Sequence, residues 1–244
     1  MNRALAAGAA GMAVQQAILD SISANLANID TPGFRAARPD FAALIAPDGR
    51  AMTAVAEPTR RLFSQGRLDA TGGEYDLGIE GGGLFEVIAR GGKTAYTRAG
   101  NFAPAADGRL VLPNGAALAG VRLPHGTTAL TVSSGGIVRA VVAGKRGSLR
   151  AGQIRLCGFS DEGALALGTD GLFSAPPGSG RPVCGLPGSF GFGRIKQRYL
   201  ERANVSVVAA MMAVLAAQRA YEANAKSVQA ADEMLRLANN LERN

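Results

Sequence analysis

The sequence predicts an α+β fold: long helices at the two chain ends and a central antiparallel all-β domain. Three observations predict it. Apolar residues recur at heptad spacing near both termini. The 33 glycines among 244 residues gather in the middle, with turn signals between short β-prone runs. No comparable helical period crosses that middle. The expected divisions are an N-terminal helix in 1–34, an extended connector in 35–63, the β domain in 64–190, and a linker with the C-terminal helix in 191–244.

In the first element Leu5, Met12, Leu19 and Leu26 repeat every seven residues, and Gly8, Gln15, Ile22 and Ile29 fill the alternate positions. The spacing predicts a helix over 3–28, roughly 40 Å long. Alanine dominates it, and Arg3 and Asp20 are its only charges. A helix so poor in charge calls for cover on more than one side, and Gly8 and Gly11 permit close approach. Arg3 followed by the apolar run Ala4–Val14 imitates a signal peptide. The heptad nevertheless continues through Gln15 and Gln16 to Ile29, so the segment reads as mature protein.

Pro32 disfavours helix at Thr31, and Asp30-Thr31-Pro32-Gly33 signals a turn. The connector is punctuated by Pro39, Pro47 and Pro58, with one short turn of helix expected over Phe41–Ile45.

The β-prone runs are Leu77–Ile79, Leu84–Ile88 and Ala95–Thr97. Arg90-Gly91-Gly92-Lys93 predicts a hairpin between the last two. Asp107-Gly108, Asn114-Gly115, Gly135-Gly136 and Asp170-Gly171 signal further hairpins. Pro176-Pro177-Gly178 and Pro187-Gly188 are read as leading out of the domain. Helical spacing returns with Val207, Met211, Val214, Gln218, Tyr221, Ala225, Val228, Asp232 and Leu235, and Asn204 or Ser206 is a fitting N-cap.

The formal charge is +7, which raises a basic nucleic-acid-binding module as the competing class. The arginines are scattered, Lys145, Arg146 and Arg150 make the nearest patch, and no aromatic residues interleave with them. A solvated surface is the better reading. Cys157 and Cys184 lack the neighbours of a metal site; one disulfide and two isolated thiols are equal alternatives. Gly92-Lys93-Thr94 ends like a phosphate-binding loop, but Val87 stands where that loop needs glycine. His125 is the sole histidine, and no nucleophile–base or paired-carboxylate cluster accompanies it. Asn204-Val205-Ser206 matches a glycosylation sequon and is better read as a helix cap. No enzyme activity, cofactor or metal is expected, and no stretch is long and apolar enough to span a membrane.

Several segments form a familiar set. Asn25-Leu26-Ala27-Asn28-Ile29-Asp30-Thr31-Pro32-Gly33-Phe34 resembles the signature that closes the N-terminal helix of bacterial flagellar rod and hook proteins. Gln218-Arg219-Ala220-Tyr221-Glu222-Ala223-Asn224-Ala225-Lys226, followed by Asp232-Glu233-Met234-Leu235, is similar to the C-terminal helix of that family. Gln65-Gly66, Asp76–Ile79, Gly83-Leu84-Phe85 and Tyr96–Phe102 resemble the start of its β domain.

The resemblance implies a structural subunit of the basal-body rod, assembled helically in the periplasm as the axial drive shaft. It implies export by the flagellar type III apparatus without a cleaved signal peptide. The implied partners are other copies of the chain and neighbouring rod or hook proteins, with no nucleic acid and no direct membrane insertion. The terminal helices would pair as a coiled-coil-like bundle. Their assembly interface would comprise Leu5, Met12, Leu19, Ile22, Leu26, Ile29, Val207, Met211, Val214, Tyr221, Val228 and Leu235. The family-motif residues would be Asn25, Leu26, Asn28, Thr31, Pro32, Gly33, Phe34, Arg219, Tyr221 and Glu222. The short span from Phe34 to Gln65 favours a proximal rod protein, with the distal rod protein as the alternative.

Overall fold

The computed structural model describes residues 2–39, 41–45, 52–56 and 60–241; the side chains of 2–6, 41–45, 52–56, 235 and 238–241 lie outside that description. Pro47 and Pro58 are outside the described residues, as are the side chains of Leu5 and Leu235. The chain divides into two compact units, one built from 1–28, 37–60 and 205–244, the other from 29–36 and 61–204.

The helical unit holds α1 (Asn2–Ala27) and α2 (Val207–Leu241). The cap of α2 is Ser206, whose Oγ accepts from the Ala209 amide at 3.4 Å and whose carbonyl accepts from Ala210. The two helices pack against each other through small residues. A Cβ on Gly8 would stand 2.4 Å from Val228 Cγ2, and one on Gly11 2.7 Å from Asn224 Nδ2. Ala210, Ala217 and Ala231 are the buried positions of α2 among the described side chains. With Asn224 they form a line of small residues at seven-residue spacing.

Within the same unit, Phe41–Ile45 is a strand, paired antiparallel with Met52–Ala56 from Phe41 opposite Ala56 to Ile45 opposite Met52. This corrects the expected turn of helix. Ladder hydrogen bonds with a partner strand carrying β-branched Thr53 and Val55 outweigh the local helix preference of two alanines. The residues read as an extended connector thus contain a hairpin.

Among the described residues the β unit holds two larger sheets and two two-stranded ladders. One sheet of nine short strands runs through Leu84–Ile88, which pairs with Thr94–Thr97, Ala117–Leu118 and Leu156–Gly158. A separate three-stranded sheet joins Thr127–Val132, Ile137–Val142 and Ser148–Gln153. All five turn signals join paired strands. At the first, Ala89 donates to Lys93 O, Gly92 donates to Ala89 O, and Gly92 takes φ +75°. The main core gathers Leu77, Ile79, Phe85, Val87, Leu110, Leu130, Val138, Ile154 and Leu156. A smaller cluster holds Leu84, Tyr96, Cys157, Leu165 and Phe173.

Two further strands lie beyond the expected boundary at residue 190. Arg194–Gln197 pairs with Leu77–Glu80, and Tyr199–Glu201 pairs with Leu68–Ala70. Residues read as a linker therefore complete the β unit. Pro176-Pro177-Gly178 and Pro187-Gly188 are internal turns that flank the strand Val183–Gly185. Ile195 is 2 % exposed and packs into the main core, which supplies the burial that fixes this ladder. Cys157 and Cys184 are opposite one another on paired strands and form a disulfide, which resolves the two alternatives.

Candidate assembly interface

The helical unit presents more apolar surface than its own packing covers. On α2, Val208, Met211, Met212, Leu215, Met234 and Leu237 are all exposed, Val208 to 69 % and Met212 to 66 %. Burying such side chains contributes about 1.5–3 kcal/mol each. Val208, Met211, Met212 and Leu215 follow i, i+3, i+4, i+7 spacing on one side of the helix, and an exposed apolar cluster of this kind marks a contact surface.

The predicted interface residues fall on different sides of this arrangement. Met12, Leu19, Ile22, Val214 and Val228 are half-buried, while Leu26, Val207, Met211 and Tyr221 are exposed. Ile29, expected in the helical seam, lies past the end of α1, in the β unit, and is not part of that seam. The series Val214–Tyr221–Val228 lies near the side of α2 that faces α1. The series Met211–Gln218–Ala225–Asp232 is one residue past the buried line of Ala210, Ala217, Asn224 and Ala231. Sequence reading passed over that line because alanine at heptad spacing carries a weak apolar signal. Arg219 and Glu222 are exposed.

The motif that ends α1 has two local tasks. In the helical unit, Asn25 Nδ2 donates to Ala37 O at 2.8 Å, Ala37 N donates to Asn25 Oδ1 at 2.7 Å, and Ser21 Oγ also donates to Ala37 O. These bonds tie the strand start to the last turns of the helix. Asn28 caps locally, its Nδ2 donating to Ala24 O at 2.8 Å.

In the β unit, Gly33 takes φ +70° and donates to Glu201 O at 2.7 Å. A Cβ there would come within 2.3 Å of the Ala99 nitrogen, so the position admits only glycine. Phe34 receives the Arg61 guanidinium over its ring at 5.5 Å. Thr31 O accepts from the Phe34 amide at 3.2 Å, closing the turn around Pro32.

Beside this turn is a buried charge cluster that sequence reading missed. Arg35 Nη1 donates to Glu201 Oε1 at 2.8 Å, and Arg98 Nε donates to Glu201 Oε2 at 2.7 Å. Glu201 is 1 % exposed. Its Oε1 also accepts from Gly66 N, and Arg98 donates further to the carbonyls of Gly81 and Gly83. Burial pulls the Arg98 guanidinium below its ordinary pKa, and the Glu201 carboxylate opposes that shift. Arg35 Nε has no hydrogen-bond partner; the guanidinium carbon lies 6.0 Å from the Phe63 ring centroid.

The Gln-Gly pair acts at the same place. Gln65 Nε2 donates to Ile79 O and its Oε1 accepts from Gly81 N. A Cβ on Gly66 would meet Arg202 O at 2.0 Å. Asn204 is not the helix cap. Its Oδ1 accepts from Ala36 N, and its Nδ2 donates to the carbonyls of Leu62 and Ser64. It fastens three chain segments at the end of the β unit.

Comparison with known proteins places these features. Residues 5–35 match the family model described as flagella basal body rod protein. Residues 78–140 match the flagellar hook protein FlgE/F/G D1 domain, and 196–241 match the flagellar basal body rod FlgEFG protein C-terminal model. The flagellar basal-body rod protein FlgG of Borreliella burgdorferi is 36 % identical over 100 % of both chains. The FlgG of Caulobacter vibrioides is 36 % identical over 98 % of this chain and 99 % of its own. The FlgF rod protein of the same organism is 30 % identical over 98 % and 97 %.

The chain belongs to the flagellar basal-body rod protein family.

It is accordingly a structural subunit of the flagellar rod. The matched segments coincide with the features described above. The first runs from α1 to Arg35, the second begins at the ladder carrying Leu77–Glu80, and the third covers Glu201 and α2. In this rod protein the motif glycines serve close backbone approach. Glu201 supplies the counter-charge that lets two arginines be buried beside the turn.

Proposed function

We propose that this rod protein is a non-enzymatic subunit that assembles helically into the axial drive shaft, with its helical unit forming the inner contacts. The observation that carries the reading is the exposed apolar cluster Val208, Met211, Met212 and Leu215 near the start of α2, with Met234 and Leu237 near its end, on a helix whose small-residue face is already covered by α1. Partners on that face are other copies of the chain and neighbouring rod or hook proteins, and the helices pair there as a coiled-coil-like bundle. Met12, Leu19 and Ile22, half-buried on α1, contribute beside it, whereas Val214 and Val228 lie toward α1 and serve the helix pairing. The chain reaches its place in the periplasmic part of the flagellum through the flagellar export apparatus.

Within the rod, the distal position held by FlgG is supported by 36 % identity to the FlgG of Caulobacter vibrioides against 30 % to its FlgF. The short span from Phe34 to Gln65 supports the proximal position instead. Basal bodies purified from a deletion strain distinguish them: a rod that keeps FlgF and ends there supports the distal reading, and a rod that lacks a separate FlgG as well as this chain supports the proximal reading.

The basic charge gives the nucleic-acid reading little. Several exposed cations are paired, as in Arg67 and Arg202 with Asp69, Arg109 with Asp107, and Lys196 with Glu80.

The assembly reading is tested by Met211→Asp and Met212→Asp. A carboxylate buried in an apolar contact is strongly disfavoured. Both variants should fold with the wild-type near-ultraviolet spectrum and be missing from purified basal bodies. Normal incorporation of both would remove this face from the assembly interface.

A further inference from the structure

We propose that Cys157 and Cys184 are an oxidation site at which an extracytoplasmic thiol oxidase, a protein carrying an exchange-active Cys-X-X-Cys disulfide, fixes an otherwise weakly held edge of the β unit. The location of this event outside the cytoplasm rests on the exported reading above; the chemistry of the site does not.

Among the described residues the strand Val183–Gly185 has a single sheet neighbour, Leu156–Gly158, over three residue pairs. It is reached through Pro176-Pro177-Gly178-Ser179-Gly180-Arg181-Pro182, where three prolines donate no backbone hydrogen bond. Three ladder pairs at a sheet edge are a weak hold. The disulfide sits at the middle of those pairs, Cys157 opposite Cys184, and closes a 27-residue separation. It thus replaces a reversible attachment by a covalent one at the place where the sheet is least secured.

The two sulfurs differ in access. Cys157 is 0 % exposed, packed in the cluster of Leu84, Tyr96, Leu165 and Phe173. Its Sγ lies 4.0 Å from Glu86 Oε2, so in the dithiol form it can hold its proton by donating to that carboxylate. Cys184 is half-buried on the edge strand, and Arg155 donates to its backbone carbonyl at 3.2 Å, while the Glu86 carboxylate lies within 4.8 Å of both sulfurs and so does not distinguish them. A thiolate must reach the partner's disulfide to attack it. The accessible Cys184 therefore reacts first.

The exchange balances in two steps. Cys184 thiolate attacks one oxidase sulfur, forming a mixed disulfide and releasing one oxidase thiolate. Cys157 thiolate then attacks the Cys184 sulfur, the mixed disulfide breaks, and the second oxidase thiolate leaves. The two electrons and two protons of the chain's thiols end on the oxidase dithiol.

The test uses the full chain, reduced and freed of reductant, with a purified Cys-X-X-Cys oxidase in its disulfide form. Cys157→Ser should accumulate a mixed disulfide through Cys184. Cys184→Ser should form one about tenfold more slowly, a difference that disappears in urea. Wild-type chain given limiting alkylating agent should be labelled first at Cys184, which tests the order without any substitution. Elastase should cut after the exposed Val183 of this edge strand about tenfold faster in the reduced chain than in the oxidised one. Equal trapping by both variants in native buffer, first labelling at Cys157, or equal cleavage of both redox forms would overturn the proposal.

In cells, both thiols should be free in the cytoplasmic pool and oxidised in basal bodies. Free thiols in basal bodies would overturn the oxidation proposal and leave the rod position intact. A chain that the oxidase handles as described but that never enters basal bodies would overturn the rod position and leave the oxidation site intact.

Discussion

Glu201 is the residue on which the closed end of the β unit depends. Removing one member of a buried, hydrogen-bonded ion cluster leaves uncompensated charge, at a cost of about 3–5 kcal/mol. Glu201→Gln would leave Arg35 and Arg98 without their shared carboxylate, and the urea midpoint of the full chain should fall accordingly. Arg139→Gln, on an exposed strand position, is the control and should shift stability by less than about 0.5 kcal/mol. A glutamine variant as stable as the control would show that the cluster contributes specificity rather than stability.

Asp69 offers a pH test. Hydrogen bonds from Arg67 and then Arg202 hold its carboxyl below its ordinary pKa. A depressed folded-state value means stability that is present above the unfolded value of 3.8 and lost as pH falls through the folded one. Asp69→Asn should therefore show a smaller drop in Tm between neutral pH and pH about 3 than the wild type. An unchanged drop would assign acid sensitivity to other groups.

These residues also show what sequence reading could not reach. Arg35 and Glu201 lie 166 positions apart, and no local pattern announces that they meet. Gly33 was legible as a turn, but its need for bare backbone against Ala99 appears only in the fold.

At the scale of elements, the two helices and the five hairpins were legible because periodicity and turn chemistry are local. The strand Phe41–Ile45 was not, since its partner supplies the ladder. The heptad over α1 was visible, while the facing line of alanines on α2 was obscured by larger neighbours that point elsewhere. That line makes α1 and α2 sensitive to bulk. Gly8→Val would press a branched side chain against Val228, and overpacking of this kind costs about 1–3 kcal/mol. Amide hydrogen exchange should quicken along α1 in this variant, with the protection of the strands around Leu84–Ile88 unchanged. Equal exchange in α1 of both proteins would mean that the helices separate readily enough to absorb the methyl groups.

For the molecule as a whole, the observed end of the β unit at Asn204 is more informative than the expected one at 190. A fragment of residues 29–204 should give a cooperative thermal transition, whereas 29–190 should give none, because it lacks both closing strands and Glu201. Cooperative folding of the shorter fragment would make 194–201 an accessory rather than a completing ladder. The dependence has a kinetic side. Leu68–Ala70 waits for Tyr199–Glu201, and Leu77–Glu80 waits for Arg194–Gln197. Pairings this distant along the chain raise contact order and slow folding, since loop closure precedes any gain from contact. A chain emerging amino end first, as the proposed export route would have it, thus cannot finish its β unit until nearly all of it is through, and would stay threadable on that route.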